Sequence, residues 1–210
     1  MIEQHAEAQR YALSFTSGAL LMREAAILAP IYMHERDWAR VRAVVAGENL
    51  LQARTVASGL RLAREVIQRL AVLTDDEIKL LIEATSTERG HLLWAAACRR
   101  YDLIGEFAEE IVRERFLLLT PSLDLNDFDS FVRSKSLWHT ELSELKDSTR
   151  SKLRSNLFRM LHEAGLLSNS GLIQPALMSQ RVAIALAAHG PNDLRFFPTT
   201  DAVTSGRAQP

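Results

Sequence analysis

A single cysteine in 210 residues, Cys98, removes disulfides and multi-cysteine metal sites within the chain, and a reducing cytoplasm is the expected setting. It lies in the apolar run LLWAAAC, so it reads as core rather than as a reactive thiolate, which needs an electropositive, accessible environment. Glycine (9) and proline (6) are scarce while Ala, Leu, Arg and Glu are plentiful, which favours helix over sheet. Apolar runs such as 92–98 and 182–188 fall far short of the roughly 20 residues that cross a bilayer, so no membrane partner is expected. The opening MIEQHAEAQRY lacks the basic start and apolar centre of a secretory signal and reads as a loose arm over residues 1–13.

Catalytic signatures are equally scarce. The six histidines are scattered, with no HExxH, and there is no GxxxxGK[ST], GxGxxG or GxSxG, so no metal, cofactor or catalytic residue is expected. The acid pairs Glu109 with Glu110 and Asp127 with Asp129 read as solvated faces or helix starts rather than as Mg²⁺ ligands.

What is present is charge, unevenly placed. The formal net charge is only -1, yet residues 36–69 hold seven arginines against Asp37, Glu48 and Glu65, a local +4. Residues 146–159 hold Lys146, Arg150, Lys152, Arg154 and Arg159 against Asp147, again +4, and the acids gather between 75 and 129. Two basic segments flanking an acidic middle suit a protein that grips a polyanion at two places.

Helical signals run along most of the chain. Ser14 or Thr16 is placed to cap a helix through GALLMREAAILAPIYM that Pro30 should kink or end, and a second helix fits 37–46. Residues 49–73 are amphipathic, with a break near Arg54 and Thr55. Arg54, Ser58, Arg61, Glu65 and Arg69 fall on its polar face, which serves either nucleic acid or the acids of a neighbouring helix. Capping-box spacings, Thr74 with Glu77 and Thr85 with Glu88, open helices at 75–83 and 88–101, and another spans 103–118. Together, residues 14–121 read as a helical domain.

Residues 122–199 read as a second module, built around STRSKLRSNLFRMLHEAGLL at 148–167. At 100° per residue Leu153, Leu157, Met160, Leu161 and Ala164 share one stripe, opposite Ser151, Ser155, Arg159 and His162 with Lys152 beside them. A helix through FDSFVRSK and a short one in LWHTELSEL precede it, and LLSNSGLIQP reads as a small hairpin turning at Gly171. Helix, turn, helix and hairpin describe a winged helix-turn-helix, whose second helix enters the DNA major groove. The DNA-binding candidates are Arg54, Arg61, Arg69, Thr149, Arg150, Ser151, Lys152, Arg154, Ser155 and Arg159. The rival reading of 148–167 is a solvated helix whose cations serve solubility; the flanking turn and hairpin favour DNA. A final helix fits 176–188, DLRFFP reads as a strand or an apolar strap, and 200–210 as a frayed tail. Trp38, Trp94 and Trp138 read as packing anchors, with Trp138 also placed to meet a partner.

FTSGALL, ARTVASGLRLAREVIQRLAVLT, LWAAACRRYDLIGEFAEEIVRERFL and STRSKLRSNLFRMLHEAGLL, in that order, resemble the BrxA family of bacteriophage exclusion (BREX) defence systems. The resemblance implies a NusB-like helical body, double-stranded DNA as ligand and other BREX proteins as partners, while the scarcity of catalytic signatures leads us to expect a non-enzymatic protein. The fold expected overall is mostly α, a NusB-like body with a C-terminal winged helix-turn-helix-like module. A protein-interaction adaptor and an RNA-binding factor of the NusB type remain open as alternatives.

Overall fold

The computed structural model describes residues 10–15, 20–188 and 193–200. Among them eleven α-helices run in chain order: α1 (Met22–Glu35), α2 (Trp38–Gly47), α3 (Val56–Leu70), α4 (Asp75–Glu83), α5 (Ser86–Arg100), α6 (Asp102–Phe107), α7 (Glu114–Leu117), α8 (Leu125–Lys135), α9 (Thr140–Ser143), α10 (Asp147–Glu163) and α11 (Gln180–Ala188). A π-helical turn, Ala108–Arg113, joins α6 to α7, and a 3-10 turn follows at Asp193–Phe196. The described residues contain isolated β-bridges but no strand.

Local chemistry places the helix starts. Thr55, Thr74, Thr85 and Asp124 each accept the amide three residues on, and the residue there returns the bond, closing capping boxes on α3, α4, α5 and α8. The break expected near Arg54 is therefore the N-cap of α3. The first helix differs from expectation: α1 starts at Met22, Ser14 lies before it, and the capping position of Thr16 is outside the described residues. Pro30 stays inside α1 on its exposed side, because burial of Ala25, Leu28 and Ala29 holds the helix through it.

Helix α5 is the axis of the core, packing on α1, α3, α4, α6, α10 and α11. Every residue from Gly90 to Cys98 is buried, and Trp94 donates its indole N–H to the Phe196 carbonyl at 2.9 Å. A Cβ on Gly90 would meet the Glu163 carbonyl oxygen at 3.2 Å, so the glycine sets how closely α10 approaches α5. The last segment is a strap, as one of the two expectations for DLRFFP had it. Arg99 binds both oxygens of Glu77 and the carboxylate of Asp193, all nearly buried. Burial alone would depress this guanidinium, but Glu77 and Asp193 hold its pKa above the ordinary value.

Three expected boundaries change. Residues 10–13 are no arm: Tyr11 is buried, its amide donates to Glu141 at 2.7 Å, and its hydroxyl donates to Glu106 at 2.7 Å. Burial and the neighbouring Glu106 carboxylate push the Tyr11 phenol far above its ordinary pKa. Phe15 is buried too and its carbonyl accepts from Asn156, so residues 10–15 strap α6 and α9 to α10; Leu20, also buried, donates its amide to Glu163 at 2.8 Å, and residues 1–9 and 16–19 lie outside the described ones. At the other end, α11 packs on α4, α5 and the 3-10 turn, with Arg181 and Ser179 donating to Glu88, so α11 and the 3-10 turn pack with the helical body rather than with the module before it. The final helix begins at Gln180 rather than 176, and its stop at Gly190 and Pro191 and the tail at 201–210 lie outside the described residues.

Candidate nucleic-acid interface

The region around α10 is built from α8 upward. α8 ends at Lys135, a turn leads to α9, the short helix expected within LWHTELSEL, which is a single helical turn, and α10 begins after three intervening residues. α10 ends in a Schellman motif: Gly165 has φ +72°, its amide donates to the His162 carbonyl, and the Leu166 amide donates to the Leu161 carbonyl at 2.9 Å. The chain then doubles back through Ser168–Gly171, closed by the Leu167–Ile173 bridge, while Ser122 bridges Leu172 from the far side. At Gly171, with φ +77°, a Cβ would lie 3.0 Å from the Leu123 carbonyl oxygen, so a glycine is required there. Asn169 and Ser170 form the exposed tip.

The two faces of α10 separate as the sequence indicates. Leu153, Leu157, Met160, Leu161 and Ala164 are buried. Ser151, Lys152, Ser155, Arg159 and His162 are exposed. A depression of about 320 Å³ is lined by Ser151, Lys152, Ser155, Asn156 and Arg159. Its floor is anchored by Asn156, whose side chain donates to the Phe15 carbonyl at 3.0 Å. Lys152 and Arg159 form no ion pair with any described residue. Thr149 and Arg150 are half-buried in the first turn. Asp147 precedes them and opposes an anion aimed at the helix start, so anion affinity here rests on the side chains further along. Arg154 is half-buried and held by Asp129 of α8, which makes it a strut of the module rather than a free contact.

The second basic region divides. Arg69 is a correction: it is 1% exposed, paired with Glu65 at 2.7 Å, and stands over the Tyr101 ring, so it belongs to the core and not to a surface. Arg54 and Arg61 are exposed, and so are Arg42 and Arg64, which were not among the candidates although the charge count contained them. Arg54, before α3, lines a separate groove between the end of α2 and the start of α3. Lys146 and Arg133 are two further exposed cations beside α10 and α8 that its face pattern did not bring in.

The acids are accounted for. Glu109 pairs with Arg195 at 3.0 Å, Glu110 with Lys135 at 2.7 Å, and Asp127 with Arg115. Among the described residues no group of three or more His, Cys, Asp or Glu is placed to hold a metal ion, and no helix is long and apolar enough to cross a membrane. Cys98 is buried, and burial pushes its thiol pKa well up. Trp94 is core and Trp38 stacks on Tyr32 at 3.9 Å, but Trp138 is 67% exposed in the turn before α9.

The family model described as BrxA matches residues 9–190. A BREX protein BrxA from Escherichia coli O9:H4 (strain HS) is 28% identical over 148 residues, 70% of each chain. One from Paramagnetospirillum magneticum (strain AMB-1) is 24% identical over 164 residues, 77% of this chain and 81% of that one. Among solved structures, an uncharacterized protein from Magnetospirillum magneticum superposes with a TM-score of 0.77 at 21% identity, covering 90% of this chain and 98% of the other, a likeness of fold.

Proposed function

The chain belongs to the BrxA family of BREX proteins, and from that premise we propose that it is a non-enzymatic, double-stranded-DNA-binding component of a BREX defence system that works beside other BREX proteins. The observation that carries the reading is the solvent face of α10, where Lys152 and Arg159 stand unpaired among Ser151, Ser155 and Asn156. Cations without carboxylate partners are free to exchange counterions for phosphates, and hydroxyls beside them add phosphate hydrogen bonds. The order α8, α9, α10 and bridged hairpin supports a winged helix-turn-helix role, with α10 in or over the major groove and the Asn169–Ser170 tip near the backbone. The α1–α7 part together with α11 corresponds to the NusB-like body that the family resemblance implies.

Titration of the purified chain against a labelled duplex over a range of salt concentrations tests this. With about four phosphates engaged by Lys146, Arg150, Lys152 and Arg159, log affinity falls against log salt with a slope of about -3.6. Structured RNA competing better than duplex DNA would reassign the face to RNA, and a missing duplex complex at low salt would end the reading.

A further inference from the structure

The groove between the end of α2 and the start of α3 has a different chemistry from the α10 face. Its volume is about 330 Å³, and its walls are mainly apolar, with Asn49, Arg54 and Thr55 among the lining residues. Val45 and Leu51 are buried at its base, while Val56 and Leu60, one turn apart on α3, are 74% and 39% exposed. Gly59 lets the loop close on α3, since a Cβ there would stand 3.2 Å from the Ala53 Cβ. Arg54 lines the groove, Arg61 follows Leu60 on α3 and Arg64 lies one turn beyond it; all three are exposed and make no ion pair with described residues, and Arg42, one turn before the groove-lining Ala46, does the same from α2. Glu48 is the acid of this rim.

We propose that this groove docks an acidic amphipathic helix of a partner protein. A row of aliphatic side chains spaced i and i+4 fills the space between Val56 and Leu60, and carboxylates on its flanks meet the arginines. A sugar–phosphate backbone satisfies the arginines but leaves the two exposed aliphatic residues in water, whereas an amphipathic helix answers both features. The site is distinct from the α10 face, so the chain joins DNA on one surface to a protein on another.

The test uses the full chain and a labelled helical peptide of about four turns, with leucines at i, i+4, i+7 and i+11 and glutamates beside them. Two control peptides replace the leucines by serine or the glutamates by lysine. The acidic leucine peptide binds, both controls bind at least about tenfold more weakly, and Val56→Asp lowers affinity for the acidic peptide by about tenfold or more. Val56 is exposed at the first helical position, where an aspartate suits the helix, so the variant folds, and its duplex-DNA affinity stays unchanged. Equal binding of any control, or no effect of Val56→Asp, overturns the proposal. A loss of duplex binding in that variant gives the groove to DNA, and self-association abolished by it gives the groove to a second copy; either overturns it. The peptide titration is read without DNA, so its result stands apart from the fate of the DNA reading.

Discussion

Helices α3 and α10 are of similar length and lie in segments of equal net charge, yet the fold disposes of their cations in opposite ways. On α10 the charged stripe stays in solvent from Ser151 to His162, and one cation, Arg154, is turned inward to Asp129. On α3 the stripe winds from open solvent at Arg61 into the core at Arg69, over the Tyr101 ring and beside Glu65. What remains outside on α3 lies beside the exposed aliphatic Val56 and Leu60. Local net charge therefore says that cations are present, and the neighbouring elements decide whether they are struts, core ion pairs or free ligand groups.

The largest expected effect is on the buried side of this contrast. Arg69→Ala removes the buried ion pair with Glu65 and the guanidinium from the Tyr101 ring, and chemical denaturation should show a loss of about 3–5 kcal/mol. Lys152→Ala on α10 should change stability by less than about 0.5 kcal/mol. Similar losses in the two variants would erase the distinction between the helices. Replacing both members of the buried pair, as Glu65→Gln with Arg69→Met, should recover most of the loss.

His91 of α5, next to the α10 terminus, gives a pH test. It is 3% exposed and edge-on to Phe197, and burial lowers its pKa despite the nearby Glu88. The unfolded chain then binds a proton that the folded chain refuses, so stability is full above about pH 6.5 and declines as pH falls below it. His91→Leu should flatten this decline below about pH 6.5. An unchanged slope would place the titration elsewhere. A smaller effect than that of Arg69→Ala belongs to the N-terminal strap: Tyr11→Phe removes the hydrogen bond to Glu106 and should cost about 1 kcal/mol. Hydrogen exchange should rise in α6 and α9, which the strap touches, and not in α3.

How much of this was legible follows from where burial is decided. The capping boxes at Thr74 and Thr85 placed two helix starts within two residues, because the bonds are local. The inner and outer faces of α10 were readable because its five apolar residues define a wide, continuous stripe. The α3 face was misread in part for a geometric reason. Arg54 precedes the helix, so its angular position carries no weight, and eight residues from Arg61 to Arg69 turn the helix by about 80°, out of solvent and into the core. The strap was missed although Tyr11, Leu13 and Phe15 alternate with polar or small residues, a period-two signal overlooked beside the polar start of the chain. The π-helical turn at Ala108–Arg113, within what reads as one helix over 103–118, has no local signature that periodicity could supply.

The central claim is that the outer face of α10 carries the affinity for DNA, and the salt dependence of duplex binding measures it for three chains side by side. Lys152→Glu with Arg159→Glu should weaken binding by at least about tenfold at low salt and make the log–log salt slope shallower by about two. Arg54→Glu with Arg61→Glu should leave the slope as it is in the parent. A parent slope preserved in the α10 variant, or an equal loss in both variants, would contradict the account.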